Sequence, residues 1–282
     1  MQRDFSMEID IPLFQGLSLK IGDAPDDKME YPTGRLKKGF LLLNQGQELA
    51  EEAVGFGLPV LKIGLQAIFP GAVTLTCLRR NPTWEITALF KLNLVEKISR
   101  GENENVENRL FYAVKNFLAA VIRRLPMLRG LLTATSNKLR QMFNWETTYV
   151  DAGFSTEVKV TYTIEAETGK VGVEIDTSGL LPSITEVVVM NEQGAHHFDR
   201  YVDTSGVSLQ GKEIGCWDEV NAEEAWFESS ARRVAFRLGQ VRGARLIRGR
   251  ELIGSRLAWS GFGYSFLPSI KQLRYEIKIA RL

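Results

Sequence analysis

Residues 105–144 read NVENRLFYAVKNFLAAVIRRLPMLRGLLTATSNKLRQMFN, the only long segment of the chain with helical periodicity. The apolar residues recur every three or four positions from Leu110 to Leu132, which places them on one face of an α-helix. Pro126 lacks an amide proton and crowds the preceding turn, so we expect it to end or kink the first helix. Strand-like sequence lies on both sides of this segment, which we call the basic helical block.

The basic helical block carries a net charge of +6, because it holds seven Lys or Arg residues and a single acid, Glu107. The whole chain carries +1, so the remainder carries −5. A basic amphipathic helix can lie on an anionic membrane surface. The side chains that would make this contact are Phe117, Leu118, Val121, Arg123 and Arg124. We favour the alternative, in which the apolar stripe packs on a sheet and the basic face is solvated.

On the N-terminal side, residues 53–64 read AVGFGLPVLKIG. Apolar side chains alternate with Gly or Pro, so one face of this predicted strand has almost no side chains. Glycine weakens a strand interior, and such a run indicates the close approach of another backbone, an aromatic ring or a ligand. A bulged edge strand is the alternative that we favour.

On the C-terminal side, residues 157–165 and 171–176 alternate apolar and polar residues around a turn at Thr168-Gly169. This pattern predicts a β-hairpin. A second hairpin is predicted from residues 184–190 and 195–202. Further strands are predicted at residues 233–238, 241–247, 251–259 and 273–279.

At least ten predicted strands straddle one helical block. We therefore predict a mainly β protein, a large antiparallel β-sandwich of the supersandwich type with a central α-helical insertion of about 40 residues. The chain divides into residues 1–104, the block 105–144 and residues 145–282. We expect the two β-rich halves to share one sandwich; two separate β domains are the alternative.

The composition is that of an ordinary soluble protein, with 44% hydrophobic and 24% charged residues among 282. The two cysteines, Cys77 and Cys216, form no CxxC or Cys/His cluster, so we expect no metal site and no cofactor. The near-neutral net charge argues against a nucleic-acid partner. The N-terminus shows no basic region followed by an apolar run, so we predict no signal peptide and a cytoplasmic location.

The two histidines of the chain are adjacent, His196 and His197. In a strand they would point to opposite faces, and His197, Asp199, Tyr201 and Asp203 would share one face. Histidine or tyrosine can act as a general base on such a face, so His197, Tyr201 and Asp199 are the candidate catalytic residues. We favour the alternative of a solvated strand face.

Residues 217–228 combine five acids with three aromatic residues. Paired carboxylates beside aromatic rings are what glycoside hydrolysis needs, although adjacent acids in a loop are usually solvated. Eight arginines follow between residues 232 and 256, and arginine binds carboxylate, sulfate or phosphate in bidentate fashion. Pairing of these arginines with the acidic segment is the alternative that we favour. Candidate ligand contacts are Arg200, Arg233, Arg237, Arg242, Trp217 and Trp226.

Three functions remain open. The first is a carbohydrate-binding β-sandwich, or one that binds another polar, acidic ligand. The second is a peripheral membrane protein that uses residues 110–132. The third is an enzyme of the polysaccharide lyase or epimerase type, with Tyr201 or His197 as the base. We favour binding over catalysis, because no P-loop, GxGxxG, GxSxG or HExxH motif is present.

Overall fold

A computed structural model describes residues 8–22, 38–64, 66–80, 82–100, 146–253 and 257–282. The chain forms two compact units, residues 1–94 with 153–282 and residues 95–152. Of the second unit only two strand ends are described. The basic helical block lies outside the described residues, so its helices and the membrane contacts Phe117, Leu118, Val121, Arg123 and Arg124 stay predictions.

The described residues form nineteen strands and a short 3-10 helix at Gly211–Ile214. In chain order the strands are β1 (Glu8–Pro12), β2 (Leu17–Gly22), β3 (Leu41–Asn44), β4 (Gln47–Glu48), β5 (Gly55–Ile63), β6 (Gln66–Ile68), β7 (Pro70–Arg80), β8 (Thr83–Arg100), β9 (Glu146–Glu165), β10 (Lys170–Asp176), β11 (Glu186–Gln193), β12 (Arg200–Asp203), β13 (Ser208–Gln210), β14 (Asp218–Glu219), β15 (Glu224–Ser229), β16 (Val234–Gly239), β17 (Arg245–Ile253), β18 (Leu257–Phe266) and β19 (Gln272–Arg281).

These strands form three sheets. A nine-stranded sheet has the order β13-β12-β15-β16-β19-β10-β9-β8-β7, and a six-stranded sheet has the order β14-β17-β18-β11-β5-β6. Strands β1 to β4 form a smaller sheet in chain order. Strands from both sides of the basic helical block contribute to each of the two larger sheets. The mainly β, antiparallel prediction is confirmed.

The two larger sheets face each other across an apolar core. Along β10 and β19 buried residues alternate with more exposed ones, because one face of each strand packs inward and the other meets water. Ring pairs join the two sheets: Phe56 of β5 contacts Phe236 of β16 at 5.1 Å, and Phe262 of β18 contacts Phe227 of β15 at 4.9 Å between centroids. The core is therefore a sandwich interior shared by both sheets.

The glycine-rich run contains a buried polar junction. Gly57 has φ +76° and lies where the pairing of β5 with β11 shifts register, and an added Cβ would come within 2.5 Å of the Tyr162 ring. Its amide donates to Asn191 Oδ1 at 3.0 Å, and its carbonyl accepts from the Tyr162 hydroxyl at 3.0 Å. The Tyr275 hydroxyl donates to the same Asn191 oxygen at 2.9 Å. The predicted bulge is present, but β5 lies between β11 and β6 rather than at an edge. The approaching group is an aromatic ring.

The predicted hairpin of residues 157–165 and 171–176 is confirmed as β9 and β10. The second predicted hairpin is wrong. Strand β11 extends to Gln193 and pairs with β18 and β5, whereas β12 begins at Arg200 and belongs to the other sheet. Residues 195–197 form a turn between the sheets. Sequence alternation cannot distinguish two strands that pair with each other from two that belong to different sheets.

We expect Asn191→Leu to lower the free energy of unfolding by about 2–5 kcal/mol, because the Gly57 N–H and the Tyr275 O–H both lose a buried acceptor. Tyr275→Phe removes only one of these bonds and should cost about 1 kcal/mol. Urea denaturation of both variants measures the difference. Equal losses in the two variants would show that Asn191 does not hold the junction.

Candidate functional site

A groove of about 530 Å³ crosses the nine-stranded sheet at β8, β9 and β10. The apolar residues of these strands are buried in the core, so the period of two turns their polar residues outward into the groove. The loop after β10 contributes the remaining residues. The lining consists of Leu89, Lys91, Ser155, Thr156, Glu157, Lys159, Asp176, Ser178, Gly179 and Leu181. The volume falls in the range of small-molecule sites.

Two lysines and two carboxylates line the groove, so their formal charges cancel. Asp176 lies opposite Lys159 in the register of β10 with β9. Asp176 Oδ1 also accepts a hydrogen bond from the Ser178 amide at 2.9 Å. Hydrogen bonds from Ser178 lower the pKa of Asp176, and Lys159 acts in the same direction. Asp176 is therefore a fixed acceptor at neutral pH.

The groove also offers hydroxyl groups and an apolar surface. Ser155 and Ser178 supply the hydroxyls. Leu181 is 44% exposed, and Leu89 lies in the same lining. This arrangement provides donors, acceptors and an apolar patch within one concavity. The titratable groups of the lining are the two carboxylates, Glu157 and Asp176, and the two lysines, Lys91 and Lys159.

Arg237, one of the predicted ligand contacts, borders a second cavity of about 210 Å³. Its guanidinium forms an ion pair with Glu224 at 2.9 Å across β15 and β16. Arg200 is paired in the same way, with Glu228 at 3.1 Å. Both arginines pair across strands with the acidic segment. The pairing favoured from the sequence concerned the arginines from residue 232 onward, so it is Arg237 that shows it.

The other predicted ligand contacts lie apart from the groove. Trp226 donates through Nε1 to Glu228 Oε1 at 2.8 Å. Trp217 stacks on Trp259 with 4.5 Å between ring centroids. Arg233 donates to the carbonyl of Leu282 at 3.2 Å, and Arg242 is exposed in the turn before β17. Trp226 shares Glu228 with Arg200 and is the register partner of Arg237, so these three predicted contacts lie on adjacent strands. The role of all six residues in binding stays a prediction.

Tyr201 and Asp203 share a face of β12, as the alternation indicated. The Tyr201 hydroxyl donates to Asp203 Oδ2 at 2.7 Å. Burial raises the pKa of Tyr201 well above its usual value, and the bond to Asp203 adds to this shift. Such a phenol is a hydrogen-bond donor at neutral pH. Asp199 precedes the strand, and its carbonyl accepts from the Gly211 amide at 2.8 Å.

His197 does not share a strand face with Tyr201, because both histidines lie in the turn at residues 195–197. His196 Nδ1 lies 2.8 Å from Glu51 Oε2, and His197 Nε2 lies 3.3 Å from Glu51 Oε1. Burial lowers the pKa of His197, while the charge of Glu51 opposes this shift. The sequence-based expectation that the two imidazoles diverge is wrong, since a turn replaces the strand. Across the described residues, no His, Cys, Asp and Glu cluster is suited to hold a metal ion.

Sequence reasoning missed two sets of residues. The groove residues Lys91, Lys159 and Asp176 occupy outward strand positions, and nothing in their spacing distinguishes them from ordinary solvated residues. The sequence predicts a turn at Glu192, but this residue lies in β11 and is fully buried. Its neighbours in sequence, Asn191 and Gln193, are buried as well. Three consecutive polar residues are a turn signal by composition, and contacts with distant strands are what place them inside.

No helix within the described residues has the length and apolar character needed to cross a membrane.

No protein-family model matches the sequence, and no curated protein matches it. Among solved structures, an alpha-N-acetylgalactosaminidase from Bifidobacterium bifidum is similar at 12% identity with a TM-score of 0.49; the match covers 97% of this chain and 36% of that enzyme. A putative aldose 1-epimerase from Escherichia coli K12 is 7% identical over 98% of this chain and 100% of that chain, with a TM-score of 0.38. A putative mutarotase from Salmonella typhimurium is 7% identical over 100% and 92%, with a TM-score of 0.40.

Glu192 leads to a pH prediction. Burial raises its pKa to about 8, the hydrogen bond from the Val54 amide opposes this, and Glu251 adds to it. The folded protein thus keeps a proton on Glu192 between pH 4.5, the ordinary value, and pH 8, while the unfolded chain releases it. The Glu192 contribution to stability therefore decreases as pH rises through this window, by up to about 1.4 kcal/mol per pH unit.

We expect Glu192→Gln to remove this decrease, so that the variant gains stability relative to the wild type as pH rises from 5 to 8. Urea denaturation across this range measures the gain. Glu165→Gln, at the exposed end of β9, is the control for loss of one carboxylate. A constant difference between wild type and Glu192→Gln at every pH would contradict the expectation.

Proposed function

We propose that this protein is a carbohydrate-binding β-sandwich and that the groove across β8, β9 and β10 holds the sugar. One observation carries the proposal: balanced charges, two serine hydroxyls and an exposed leucine line a single groove of about 530 Å³. A sugar ring presents hydroxyl groups that both donate and accept, together with an apolar C–H face. Lysine, carboxylate and hydroxyl groups match the former, and Leu181 offers an apolar surface for the latter.

The charge balance supports a neutral sugar over a strongly anionic ligand at this groove. Lys91 and Lys159 alone would favour a carboxylate or phosphate, but Glu157 and Asp176 oppose the approach of an anion. A hydroxyl group can bind next to either charge. Asp176 is held by Ser178, so its oxygens are ordered before a ligand arrives, which reduces the entropy cost of binding.

Binding is favoured over the lyase or epimerase alternative. That chemistry requires a positioned base close to the substrate carbon and a cation to stabilise the anion. Tyr201 lies under Arg248, which is a suitable cation, but the phenol is buried and donates to Asp203. His197 is turned toward Glu51. The catalytic roles of Tyr201, His197 and Asp199 stay predictions.

The experiment is calorimetric titration of the full chain with glucose, galactose, lactose and maltose. We expect at least one of these sugars to bind, and Asp176→Asn to weaken that binding about tenfold, since a hydrogen bond to a charged acceptor contributes about 1.5–3 kcal/mol. Glu174→Gln, on the same strand and the same outward face, is the matched control and should bind like the wild type.

Thermal unfolding establishes that both variants are folded. If none of the four sugars binds, the carbohydrate assignment is overturned. Equal affinity in Asp176→Asn and Glu174→Gln would remove the groove as the binding site.

A further inference from the structure

Four buried side-chain atoms have no hydrogen-bond partner among the described residues. They are Nε and Nη1 of Arg248, Nε of Arg250 and Oγ of Ser260. Arg248 and Arg250 are two residues apart on β17, so they project to the same side of the sheet. Ser260 is the register partner of Arg250 on β18. Buried polar groups in native proteins are almost always paired, so their grouping at one place requires a reason.

Arg248 extends from the six-stranded sheet over the ring of Tyr201, with 4.7 Å from the guanidinium carbon to the ring centroid. Its side chain is only 13% exposed. Asp218 Oδ2 lies 3.6 Å from Nη1, which is an ion pair but too long for a hydrogen bond. Arg250 donates one bond through Nη2 to the Ala195 carbonyl at 3.0 Å. The two side chains therefore hold three nitrogen atoms that lack an acceptor among the described residues.

Three other arginines have close carboxylate partners. Arg200 lies 3.1 Å from Glu228, Arg237 lies 2.9 Å from Glu224 and Arg274 lies 3.0 Å from Glu174. These ion pairs are near the surface, where water would satisfy the guanidinium in any case. Arg248 is the more buried group and has the poorer partner. Since a guanidinium stays charged at any physiological pH, its burial calls for an anion.

We propose that Arg248, Arg250 and Ser260 form a binding site for the oxoanion group of a small molecule, a carboxylate, sulfate or phosphate. A planar guanidinium binds such a group through two parallel N–H bonds. The Ser260 hydroxyl supplies a further donor. The Tyr201 ring holds the guanidinium plane in place from the opposite sheet. This site is separate from the sugar groove: its residues come from β17 and β18, and the groove residues come from β8, β9, β10 and the loop after β10.

Asp218 marks the route by which the oxoanion reaches Arg248. It belongs to β14, a strand of two residues at the edge of the six-stranded sheet, and its side chain is 56% exposed. A Cβ added at Gly215, where φ is +79°, would clash with Asp218 Oδ2, so glycine permits this close approach. Asp218 thus occupies the solvent side of Arg248 with a carboxylate of its own. A ligand oxoanion takes the place of this carboxylate, and the two compete.

The test is thermal unfolding of the full chain in acetate, sulfate and phosphate, each compared with chloride at equal ionic strength. A ligand that binds the folded state alone raises Tm with saturating dependence on concentration. We expect saturable stabilisation by at least one of the three oxoanions, and the arm that responds identifies the ligand group. If chloride at the same ionic strength raises Tm as much as the three oxoanions do, the proposal is overturned.

Variants separate the site from general ionic effects. Arg248→Met should abolish the saturable stabilisation, and Arg248→Lys, which keeps the charge but lacks the planar fork, should weaken it about tenfold. Arg245→Met, on the same strand but exposed beside Glu186, is the matched control and should keep the wild-type response. Asp218→Asn should tighten binding by about tenfold, because the competing carboxylate is gone.

If Arg248→Met does not fold, Arg248→Lys carries the comparison. If Arg248→Lys and Asp218→Asn each show the same rise in Tm with oxoanion concentration as the wild type, the proposed site is overturned. These outcomes are independent of sugar binding in the groove, which is measured by titration with neutral ligands.

Discussion

The backbone N–H and C=O of Gly57, buried between the two larger sheets, are the constraint on which much of the architecture depends. A buried amide and carbonyl must find partners, because an unpaired backbone group costs as much as a lost hydrogen bond. The register shift in β5 removes them from the regular ladder. Asn191 from the neighbouring strand and Tyr162 from the opposite sheet replace the ladder bonds. The separation and the register of the two sheets are thereby set at this junction.

The same junction determines what the outer face presents. Tyr162 must point inward to reach Gly57, so the residues of odd number on β9, including Glu157 and Lys159, must point outward. The pairing of β9 with β10 then places Asp176 beside Lys159. A slip of one residue in β9 would bury a lysine and expose a tyrosine. The inward position of Tyr162 at Gly57 therefore sets which residues of β9 face the groove.

Polar groups inside this sandwich fall into two kinds. Asn191 is held by several strong hydrogen bonds and fixes the packing of its surroundings. Arg248 is nearly as buried but has only a long ion pair and a ring contact. A fully satisfied polar network rigidifies a core, whereas a buried polar group without a partner requires an explanation, such as a bound ion. Asn191 therefore has a structural role, and Arg248 is the residue for which we propose a ligand.

Local sequence patterns were enough to predict the fold class and the orientation of the clearest strands. A period of two assigns each residue of the β9–β10 hairpin to an inner or an outer face, and this needs no knowledge of distant residues. Only the folded chain shows which strands pair and that residues 195–197 form a turn between the sheets. It also shows that Arg248 lies over the ring of Tyr201, whereas Arg237 forms an ion pair with Glu224. The physical reason is that burial and pairing depend on contacts between strands far apart in the chain. Two arginines with the same local pattern therefore differ in environment, and no spacing in the sequence distinguishes them.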